Sequence, residues 1–347
     1  MFFCLTENLQ GGQKGQHYLN TLIICLLTIG VIIMIGDLKI FSGSSHPGLA
    51  KAICEYNELP LGALEIIRFS NENIKVRILE NVRGSDVFVI QTSCPPVNES
   101  LMELLIVIDA LRYASAERIT AVLPYFPYAR SDKKDQPRIS ITARLVADLL
   151  QTAGADRVLT MDLHSPQIQG FFHIPIDQLI AAPLICDYLR DKDLTNSVLV
   201  ASDVGESKSI GRYANRLNIP IAIIDKRRYG DDEKAKAVHL IGDVAKKDAL
   251  IIDDEIASGG TLVEAVDFLN RQGVRSITAA AVHPVLSGQA VDRIKTIEIQ
   301  ELVVTDTIPL GEKAELYDKF TVLSVAPFFG DAIMRIHNGD SISKLFR

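Results

Sequence analysis

The sequence predicts an α/β protein made of two domains with mainly parallel central sheets. From residue 37 onward, strand-like apolar runs alternate with helical patterns, which is typical of βαβ units. The chain of 347 residues is long enough for two domains of about 150 residues each. We expect a first domain at residues 37–180 and a second at residues 181–347, with residues 1–36 as an apolar extension outside the fold.

The predicted strands are similar in length and composition in both halves. In chain order they read LKIFSG, DVFVIQ, RITAVLPY and RVLTMDL, then SVLVASD, IAIID, ALIIDD, SITAAAVH and ELVVTD. The segments SLMELLIVIDALRYA and TARLVADLLQTAG carry the apolar spacing of amphipathic helices. No fixed period of about 20–50 residues repeats, so a solenoid is excluded.

Charge and cysteine content exclude several classes of protein. The net charge of -7 provides no overall basic field that would attract nucleic acid, and we expect no nucleic-acid partner. The 5 cysteines are widely spaced and include no CxxC pair, which argues against a disulfide framework or a zinc site. A reducing cytosol is the simplest setting, so a cytoplasmic location is expected.

An uncharged apolar segment, TLIICLLTIGVIIMIG, occupies residues 21–36. It is shorter than the roughly 20 residues that a membrane-spanning helix needs, and no small-residue cleavage site follows it as in a signal peptide. Three interpretations stay open, namely a non-native upstream extension, a membrane anchor or a packed element. The first is favoured, and membrane association through this segment is the alternative.

The stretch ALIIDDEIASGGT, residues 249–261, places three acids between a buried strand and the entry to an amphipathic helix. In open α/β sheets, ligands bind in this crevice at the carboxyl ends of the strands. Backbone N–H groups of a small-residue loop at a helix N-terminus cradle a phosphate. Asp253 and Asp254 can accept hydrogen bonds from vicinal hydroxyls, so a sugar phosphate meets both demands.

Further acids follow two other predicted strands. Asp162 and His164 are two residues apart in RVLTMDLHSPQ, so on a strand both would project from one face. Asp203 ends the run SVLVASD. Carboxylate and imidazole groups in one crevice suit a hydrated Mg²⁺ that holds the phosphates of a nucleotide. The alternative is that Asp162 and Asp203 cap helices, since Asp is a favoured N-cap residue.

A basic loop, FPYARSDKKDQPR, follows the strand that ends near Tyr125. Arg130 and its neighbouring cations could neutralise a triphosphate. Tyr125, Phe126 and Tyr128 could pack near a base. A solvated loop without a role is the alternative.

A second basic cluster, KRR, ends the strand-like run IAIID and opens a polar stretch. Lys226 and Arg228 could close over a transferring phosphoryl group and exclude water. A mobile polar loop without a role is the competing interpretation. The chain has neither GxxxxGK[ST] nor GxGxxG. It therefore lacks the motifs that are typical of P-loop NTPases and of dinucleotide oxidoreductases.

With these residues in view, the sequence resembles the ribose-phosphate pyrophosphokinases, also called phosphoribosyl pyrophosphate synthetases, from LKIFSGSSHP to SISKLF. The most specific matches are PVNESLMELLIVIDALRYASAERITAVLPYFPYAR, AGADRVLTMDLHSPQIQGFFHIPID, IIDKRR and LSVAPFFGDAIMRIHNGDS. The resemblance implies two phosphoribosyltransferase-like domains that transfer the β,γ-diphosphoryl group of ATP to the 1-hydroxyl of ribose 5-phosphate. Phosphoribosyl pyrophosphate and AMP would be the products. Met34, four residues before the resemblance begins, would serve as an internal start.

The resemblance also implies roles for individual residues. The ATP-binding positions are Phe69, Asn71, Glu72, Asn73, Arg130 and Ser131. The ribose 5-phosphate positions are Arg228, Asp253, Asp254, Ala257, Ser258, Gly259, Gly260 and Thr261. The catalytic positions are Lys226 and Arg228, and the Mg²⁺ positions are His164, Asp203 and Asp162. The family forms homohexamers built from dimers, with adenine contacts from a neighbouring subunit, and residues 305–308 resemble its regulatory anion loop.

Several positions depart from the family pattern. The family usually has Glu at Asn73, Gln at Ser131, Asp at His173 and Ala257, and Gly at Glu206. Because the 5-phosphate cradle relies on backbone amides and hydroxyls, we expect it to tolerate Ala257.

Two alternatives come from other classes of protein. A phosphoribosyltransferase would share the loop DDEIASGGT but would not need Arg130, Lys226 and His164 together. A catalytically silent regulatory subunit would keep the fold and lose the basic loop, whereas Lys226 and Arg228 are present. An assay for AMP formed from ATP and ribose 5-phosphate separates these alternatives.

Overall fold

The structure is a computed structural model. It describes residues 36–202, 207–227, 236–315 and 317–346, apart from the side chains of residues 207–209, 226–227, 236–238 and 346. Asp37–Arg347 form one compact unit.

Strands and helices alternate along most of the described chain. The strands are β1 (Leu38–Ser42), β2 (Leu64–Arg68), β3 (Ile74–Ile78), β4 (Asp86–Ile90), β5 (Arg118–Leu123), β6 (Arg157–Met161), β7 (Ile176–Leu179), β8 (Ser197–Ala201), β9 (Ile221–Arg227), β10 (Lys236–Ile241), β11 (Asp248–Glu255), β12 (Ser276–His283), β13 (Glu301–Thr305) and β14 (Phe320–Leu323). The α-helices are α1 (Pro47–Tyr56), α2 (Val97–Tyr113), α3 (Thr142–Ala153), α4 (Ala182–Arg190), α5 (Ser207–Leu217), α6 (Gly260–Arg271), α7 (Ala290–Lys295) and α8 (Ala326–Asn338). Short 3₁₀ helices occupy Pro166–Phe171, Gly311–Ala314 and Ile342–Phe346.

Two large sheets carry the fold. The first contains five parallel strands in the order β1-β4-β5-β6-β7. The second has the order β10-β9-β8-β11-β12-β13-β14, and its strands are parallel except that β10 runs antiparallel to β9. The prediction of an α/β fold with mainly parallel sheets is confirmed.

The sequences of the inner strands explain their position. All five residues of β4, DVFVI, and of β8, SVLVA, are buried. Parallel strands that are covered on both faces are typically continuous apolar runs of this kind. The helices that cover them are amphipathic: α3 buries Ala143, Val146, Ala147 and Leu150, which share one face. It ends at Gly154, where φ is +116°, as expected for a left-handed cap.

One apolar core joins the two sheets. It includes Ile40 and Leu159 from the first sheet, Leu199 and Val303 from the second, and Phe329 from α8, all of them buried. The change from the first sheet to the second occurs between Leu179 and Ser197. The predicted domain boundary at residue 180 lies in this interval and stays a prediction, because Asp37–Arg347 cluster as one unit.

Every strand-like run named from the sequence contributes to a strand, and both named helical patterns are helices. The pattern did not predict β2, β3, β7, β10 or β14. Of these, β2 and β3 form a separate antiparallel hairpin, and β7 and β14 have only four residues each. Four residues are too few for a period-2 pattern to stand out.

Among the described residues, no helix has the length and apolar character that crossing a membrane requires. The apolar segment at residues 21–35 lies outside the described residues.

Candidate active site

The acidic end of β11 is part of the strand itself. The backbone of β11 pairs with β12 as far as Glu255 opposite His283, whereas its pairing with β8 stops at Ile251. Side chains alternate along a strand, so Asp254 and Glu255 project to opposite sides, whereas the carboxylate of Asp253 turns back to the backbone N–H of Asp254. The three acids therefore face different neighbours.

Asp254 joins the end of β11 to the loop after β6. Its Oδ2 lies 2.6 Å from Nδ1 of His164, and its backbone N–H donates to Oδ1 of Asp253 at 2.8 Å. Burial favours the neutral carboxyl of Asp254, but the hydrogen bonds from His164 and within the Asp253–Asp254 pair outweigh it and lower the pKa to about 2. The hydrogen bond to Asp254 raises the pKa of His164 against the opposing effect of burial.

The arrangement of His164 suits a metal ligand. Because Nδ1 faces an ionised carboxylate, Nδ1 carries the proton and the neutral ring presents the lone pair of Nε2. Histidines that bind metals commonly donate their other N–H to a carboxylate in this way. Among the described residues, no group of three His, Cys, Asp or Glu side chains is arranged as a complete set of metal ligands. A site with few protein ligands is compatible with Mg²⁺, which prefers oxygen ligands and usually keeps several waters.

Asp162 does not share a face with His164, because β6 ends at Met161. Asp162 has φ +35°, and its Oδ2 accepts a hydrogen bond of 2.6 Å from the backbone N–H of Ala181. Ala181 is the N-cap residue of α4, which has no side-chain capping hydrogen bond, so Asp162 contacts the start of the helix without being its N-cap residue. Burial raises the pKa of Asp162 to about 7. The prediction that a strand aligns Asp162 with His164 is wrong, and a metal-binding role for Asp162 stays a prediction.

Glu255, the last residue of β11, is held on the other side of the strand. Its Oε2 accepts a hydrogen bond of 2.7 Å from the hydroxyl of Tyr125, and its Oε1 lies 3.3 Å from Nη1 of Arg130. The ring of Tyr125 packs against His283 with 4.8 Å between centroids. Desolvation and the nearby Glu255 raise the pKa of Tyr125. No role was predicted for Glu255 from the sequence. Its position next to Asp253 and Asp254, which were predicted to bind the sugar, could have indicated a role in the site.

The three aromatic residues at the start of the basic loop have different surroundings, and only Phe126 is turned into the core. Tyr125 binds Glu255, and the hydroxyl of Tyr128 binds Asn98. Phe126 is buried and packs edge-on to Phe172 at 6.0 Å. The expectation that Phe126 packs near a base is wrong, because its position after β5 directs the ring into the core.

A network of hydrogen bonds lies behind this edge. The Nε2 of His283 is 3.1 Å from the carbonyl oxygen of Asp162, and its Nδ1 is 3.0 Å from Oγ1 of Thr307. The hydroxyl of Thr92 donates to the carbonyl of Thr307 at 2.6 Å and accepts from the N–H of Tyr125 at 3.2 Å. The segment at residues 305–308 is thereby connected to the ends of β5, β6 and β12.

The loop between β11 and α6 contacts residues 287–293. Gly259 has φ +75° and caps α6, and a Cβ there would lie 3.3 Å from the carbonyl oxygen of Ala290. The carbonyl of Ala257 accepts from the N–H of Ser287 at 2.8 Å. The carbonyl of Ser258 accepts from Nη1 of Arg293 at 3.1 Å. These contacts engage carbonyls and not the N–H groups of the first turn of α6, which have no acceptor within the helix.

Two of the predicted nucleotide segments are held by local contacts. The turn between β2 and β3 closes through the N–H of Phe69 to the carbonyl of Asn73 at 2.9 Å, and Glu72 has φ +67°. The hydroxyl of Ser131 accepts from the N–H of Thr142 at the start of α3, at 3.3 Å. Contacts of these residues with a nucleotide stay predictions.

Part of the predicted site lies outside the described residues. This holds for Asp203, Glu206 and Arg228. The backbone of Lys226 belongs to β9, whereas its side chain is outside the description.

Comparison with known proteins places this geometry in a family. A model of the N-terminal domain of ribose phosphate pyrophosphokinase matches residues 38–154, and a model of the phosphoribosyl synthetase-associated domain matches residues 228–347. The ribose-phosphate pyrophosphokinase of Caldanaerobacter subterraneus subsp. tengcongensis is 53% identical, covering 89% of this chain and 98% of that protein. The one from Clostridium perfringens is 48% identical, covering 90% and 98%.

A solved structure agrees with the sequence relatives. The crystal structure of phosphoribosylpyrophosphate synthetase from Mycobacterium smegmatis superimposes with a TM-score of 0.83 at 40% identity, covering 87% of this chain and 99% of that one. The fold and these matches define a transferase of the kinase type. The chain belongs to the ribose-phosphate pyrophosphokinase family.

Proposed function

We propose that the enzyme transfers the β,γ-diphosphoryl group of ATP to the 1-hydroxyl of ribose 5-phosphate, giving phosphoribosyl pyrophosphate and AMP for nucleotide biosynthesis. The observation that carries the proposal is the contact of 2.6 Å between His164 after β6 and Asp254 on β11. It places His164, a candidate ligand of the metal ion that binds the nucleotide, beside Asp254, a candidate acceptor of hydrogen bonds from the sugar hydroxyls. Relatives named ribose-phosphate pyrophosphokinase support the same reaction.

The sugar phosphate is assigned to β11 and the loop that follows it. Asp253 and Asp254 accept hydrogen bonds from the vicinal hydroxyls, and the second oxygen of Asp254 remains for this while Oδ2 faces His164. The 5-phosphate lies at the start of α6, where the positive end of the helix dipole and free N–H groups favour an anion. The residues assigned to this subsite are Ala257, Ser258, Gly259, Gly260 and Thr261, together with Arg228.

The nucleotide is assigned to the edge of the first sheet. Arg130 contacts its phosphates, and Ser131 follows in the same loop. The turn between β2 and β3 meets the adenine through Phe69, Asn71, Glu72 and Asn73. This arrangement agrees with a homohexamer, which we propose for the assembled enzyme, in which the turn reaches the site of a neighbouring subunit.

Mg²⁺ is the proposed cofactor. His164, Asp203 and Asp162 would hold it, and when bound it would neutralise charge on the phosphates of ATP. Asp254 orients His164 for this role through Nδ1. Lys226 and Arg228 stabilise the charge that develops as the 1-hydroxyl oxygen bonds to the β-phosphorus and AMP departs. The proposed location is the cytoplasm.

The test is a product assay with the purified enzyme, ATP, ribose 5-phosphate and Mg²⁺. We expect AMP to form in equal amount to phosphoribosyl pyrophosphate, and chelation of Mg²⁺ to stop the reaction. Accumulation of ADP would mean transfer of a single phosphoryl group and would refute the proposal. Absence of any turnover, with ATP still bound, would favour the silent regulatory subunit.

A further inference from the structure

Glu255 is a buried carboxylate at the centre of the site that the proposed reaction leaves without a role. Its side chain is 6% exposed. One oxygen, Oε2, accepts from the hydroxyl of Tyr125. The other, Oε1, is buried and accepts no hydrogen bond from the described part of the chain, although the guanidinium of Arg130 is 3.3 Å away.

The surroundings fix Glu255 firmly. Its backbone pairs with His283 in the middle of the second sheet. Its partner Tyr125 is fixed in turn, because the ring packs against His283 and the backbone N–H donates to Thr92. The carboxylate therefore has one orientation, which is set by two strands and a tyrosine.

Arg130, in contrast to Glu255, is exposed and is not held by regular secondary structure. Its side chain is 64% exposed, and it lies in an irregular loop after β5. A long exposed side chain loses substantial rotamer entropy when a ligand fixes it. A buried carboxylate needs a compensating charge, so Glu255 gives the guanidinium of Arg130 a preferred direction. Arg130 has five N–H donors, and the contact with one carboxylate oxygen leaves the others for a phosphate.

We propose that Glu255 is a positioning residue that directs Arg130 toward the phosphates of the nucleotide. This inference rests on the proposed function, which assigns the phosphates of ATP to Arg130. Because side chains alternate along β11, its last two residues act on different partners. Asp254 orients His164 on one side of the strand, and Glu255 orients Arg130 on the other.

The first test is Glu255→Gln, which keeps the size of the side chain and an acceptor for Tyr125 but removes the charge. Binding of ATP with Mg²⁺ is measured by calorimetry without ribose 5-phosphate, so the result does not depend on which product forms. We expect the Kd for ATP to rise about five- to tenfold, because Arg130 must then be ordered by the ligand alone. In the product assay, the KM for ATP rises by a similar factor and the KM for ribose 5-phosphate stays within about twofold.

A double-mutant cycle separates positioning from a merely structural role. In the Arg130→Ala background, Glu255→Gln should leave the Kd for ATP unchanged, because the residue to be positioned is gone. Glu301→Gln is the matched control. Glu301 is likewise held by a tyrosine hydroxyl and a cation, Tyr188 and Lys192, but at the start of β13, and we expect no change in ATP binding.

Tyr125→Phe provides a second variant that leaves the carboxylate in place and removes its anchor. We expect a smaller rise in the Kd for ATP, about two- to threefold, that disappears in the Glu255→Gln background. Tighter or unchanged ATP binding in Glu255→Gln overturns the inference, as does an equal effect with and without Arg130. If Glu255→Gln does not fold, as judged by thermal unfolding, Tyr125→Phe is measured in the Arg130→Ala background instead, where its effect on the Kd for ATP should disappear. A wild-type enzyme that binds ATP but forms no AMP would refute the proposed function while leaving the Glu255 measurement valid.

Discussion

The strands β6 and β11 both end in acids at the site, but they present them differently. After β6, the backbone leaves the strand at Met161, and Asp162 turns at φ +35° to bind the N–H of Ala181. At β11, the strand continues through all three acids because β12 still pairs with it at Glu255. The acid after β6 therefore forms a hydrogen bond with the start of α4, whereas the acids of β11 remain within the strand.

This difference shows that spacing predicts a shared face only where the strand continues. Asp162 and His164 have the spacing of residues on one strand face, but both lie beyond the end of β6. Asp254 reaches His164 from 90 residues away. The pairing of a neighbouring strand, and not the local sequence, decides how far the alternation extends.

The largest effect is expected from breaking the contact between the two strand ends. Asp254→Asn removes the charge that faces His164 and that the proposed function assigns to the sugar hydroxyls. If His164 binds the metal, kcat/KM should fall about 10²-fold, as for other carboxylates behind a metal-binding histidine. Both substrates should be affected in steady-state kinetics. Asp253→Asn is the matched control, for which we expect weaker ribose 5-phosphate binding with ATP affinity within about threefold. Equal profiles for the two variants would contradict the separate roles.

The two histidines at this edge should respond to pH in opposite directions. Burial lowers the pKa of His283 to about 4, whereas the contact with Asp254 raises the pKa of His164. For His283, the unfolded state binds more protons than the folded state between pH 6.5 and 4, so its contribution to stability is complete above pH 6.5 and falls as the pH drops. The contribution of His164 is complete below its unfolded pKa and falls as the pH rises through the raised value.

The variant His283→Gln measures this linkage. It should be destabilised at pH 7.5 through lost packing on Tyr125, and the penalty should be about 2 kcal/mol smaller at pH 5, since one group contributes about 1.4 kcal/mol per pH unit at full slope. Urea unfolding at the two pH values gives the comparison. A penalty that does not change with pH would mean that His283 titrates normally in the folded protein.

The sequence predicted the fold far better than it predicted the contacts of the site. The alternation of apolar runs and helical patterns identified the inner strands because burial on both faces leaves a long apolar signal, as in DVFVI of β4. The pairing of His164 with Asp254 and of Glu255 with Arg130 joins distant segments, and no spacing rule encodes it. The prediction for Phe126 was wrong because the local sequence of an aromatic residue in a basic loop does not show whether its ring faces a ligand or the core.

A change in the loop after β11 tests whether its backbone amides form the phosphate cradle. Gly259→Ala places a Cβ at φ +75° and 3.3 Å from the carbonyl of Ala290, so the loop must shift. The KM for ribose 5-phosphate should rise about tenfold while the KM for ATP changes little, because a left-handed alanine costs about 1–2 kcal/mol.

Gly273→Ala is the matched control for this change. Gly273 has φ +76°, and a Cβ there meets no atom within 4 Å. It should lower the Tm through the same backbone strain and leave both KM values unchanged. If Gly259→Ala also affects only the Tm, the loop does not bind the 5-phosphate.

The smallest effect is expected at the other strand end, in Asp162→Asn. The asparagine oxygen can still accept the N–H of Ala181, so the start of α4 should persist, as circular dichroism would verify. Only Oδ1 of Asp162 is available for a metal, because Oδ2 is used by Ala181 at 2.6 Å. Loss of one weak oxygen ligand should raise the Mg²⁺ concentration for half-maximal activity about threefold without changing kcat at saturating Mg²⁺, since Mg²⁺ relies mainly on water and phosphate oxygens. An unchanged Mg²⁺ requirement would limit Asp162 to its contact with the start of α4 and leave His164 as the candidate metal ligand after β6. A loss as large as that of Asp254→Asn would instead mean that both strand ends supply essential acids and that the difference in their backbone paths has little consequence for catalysis.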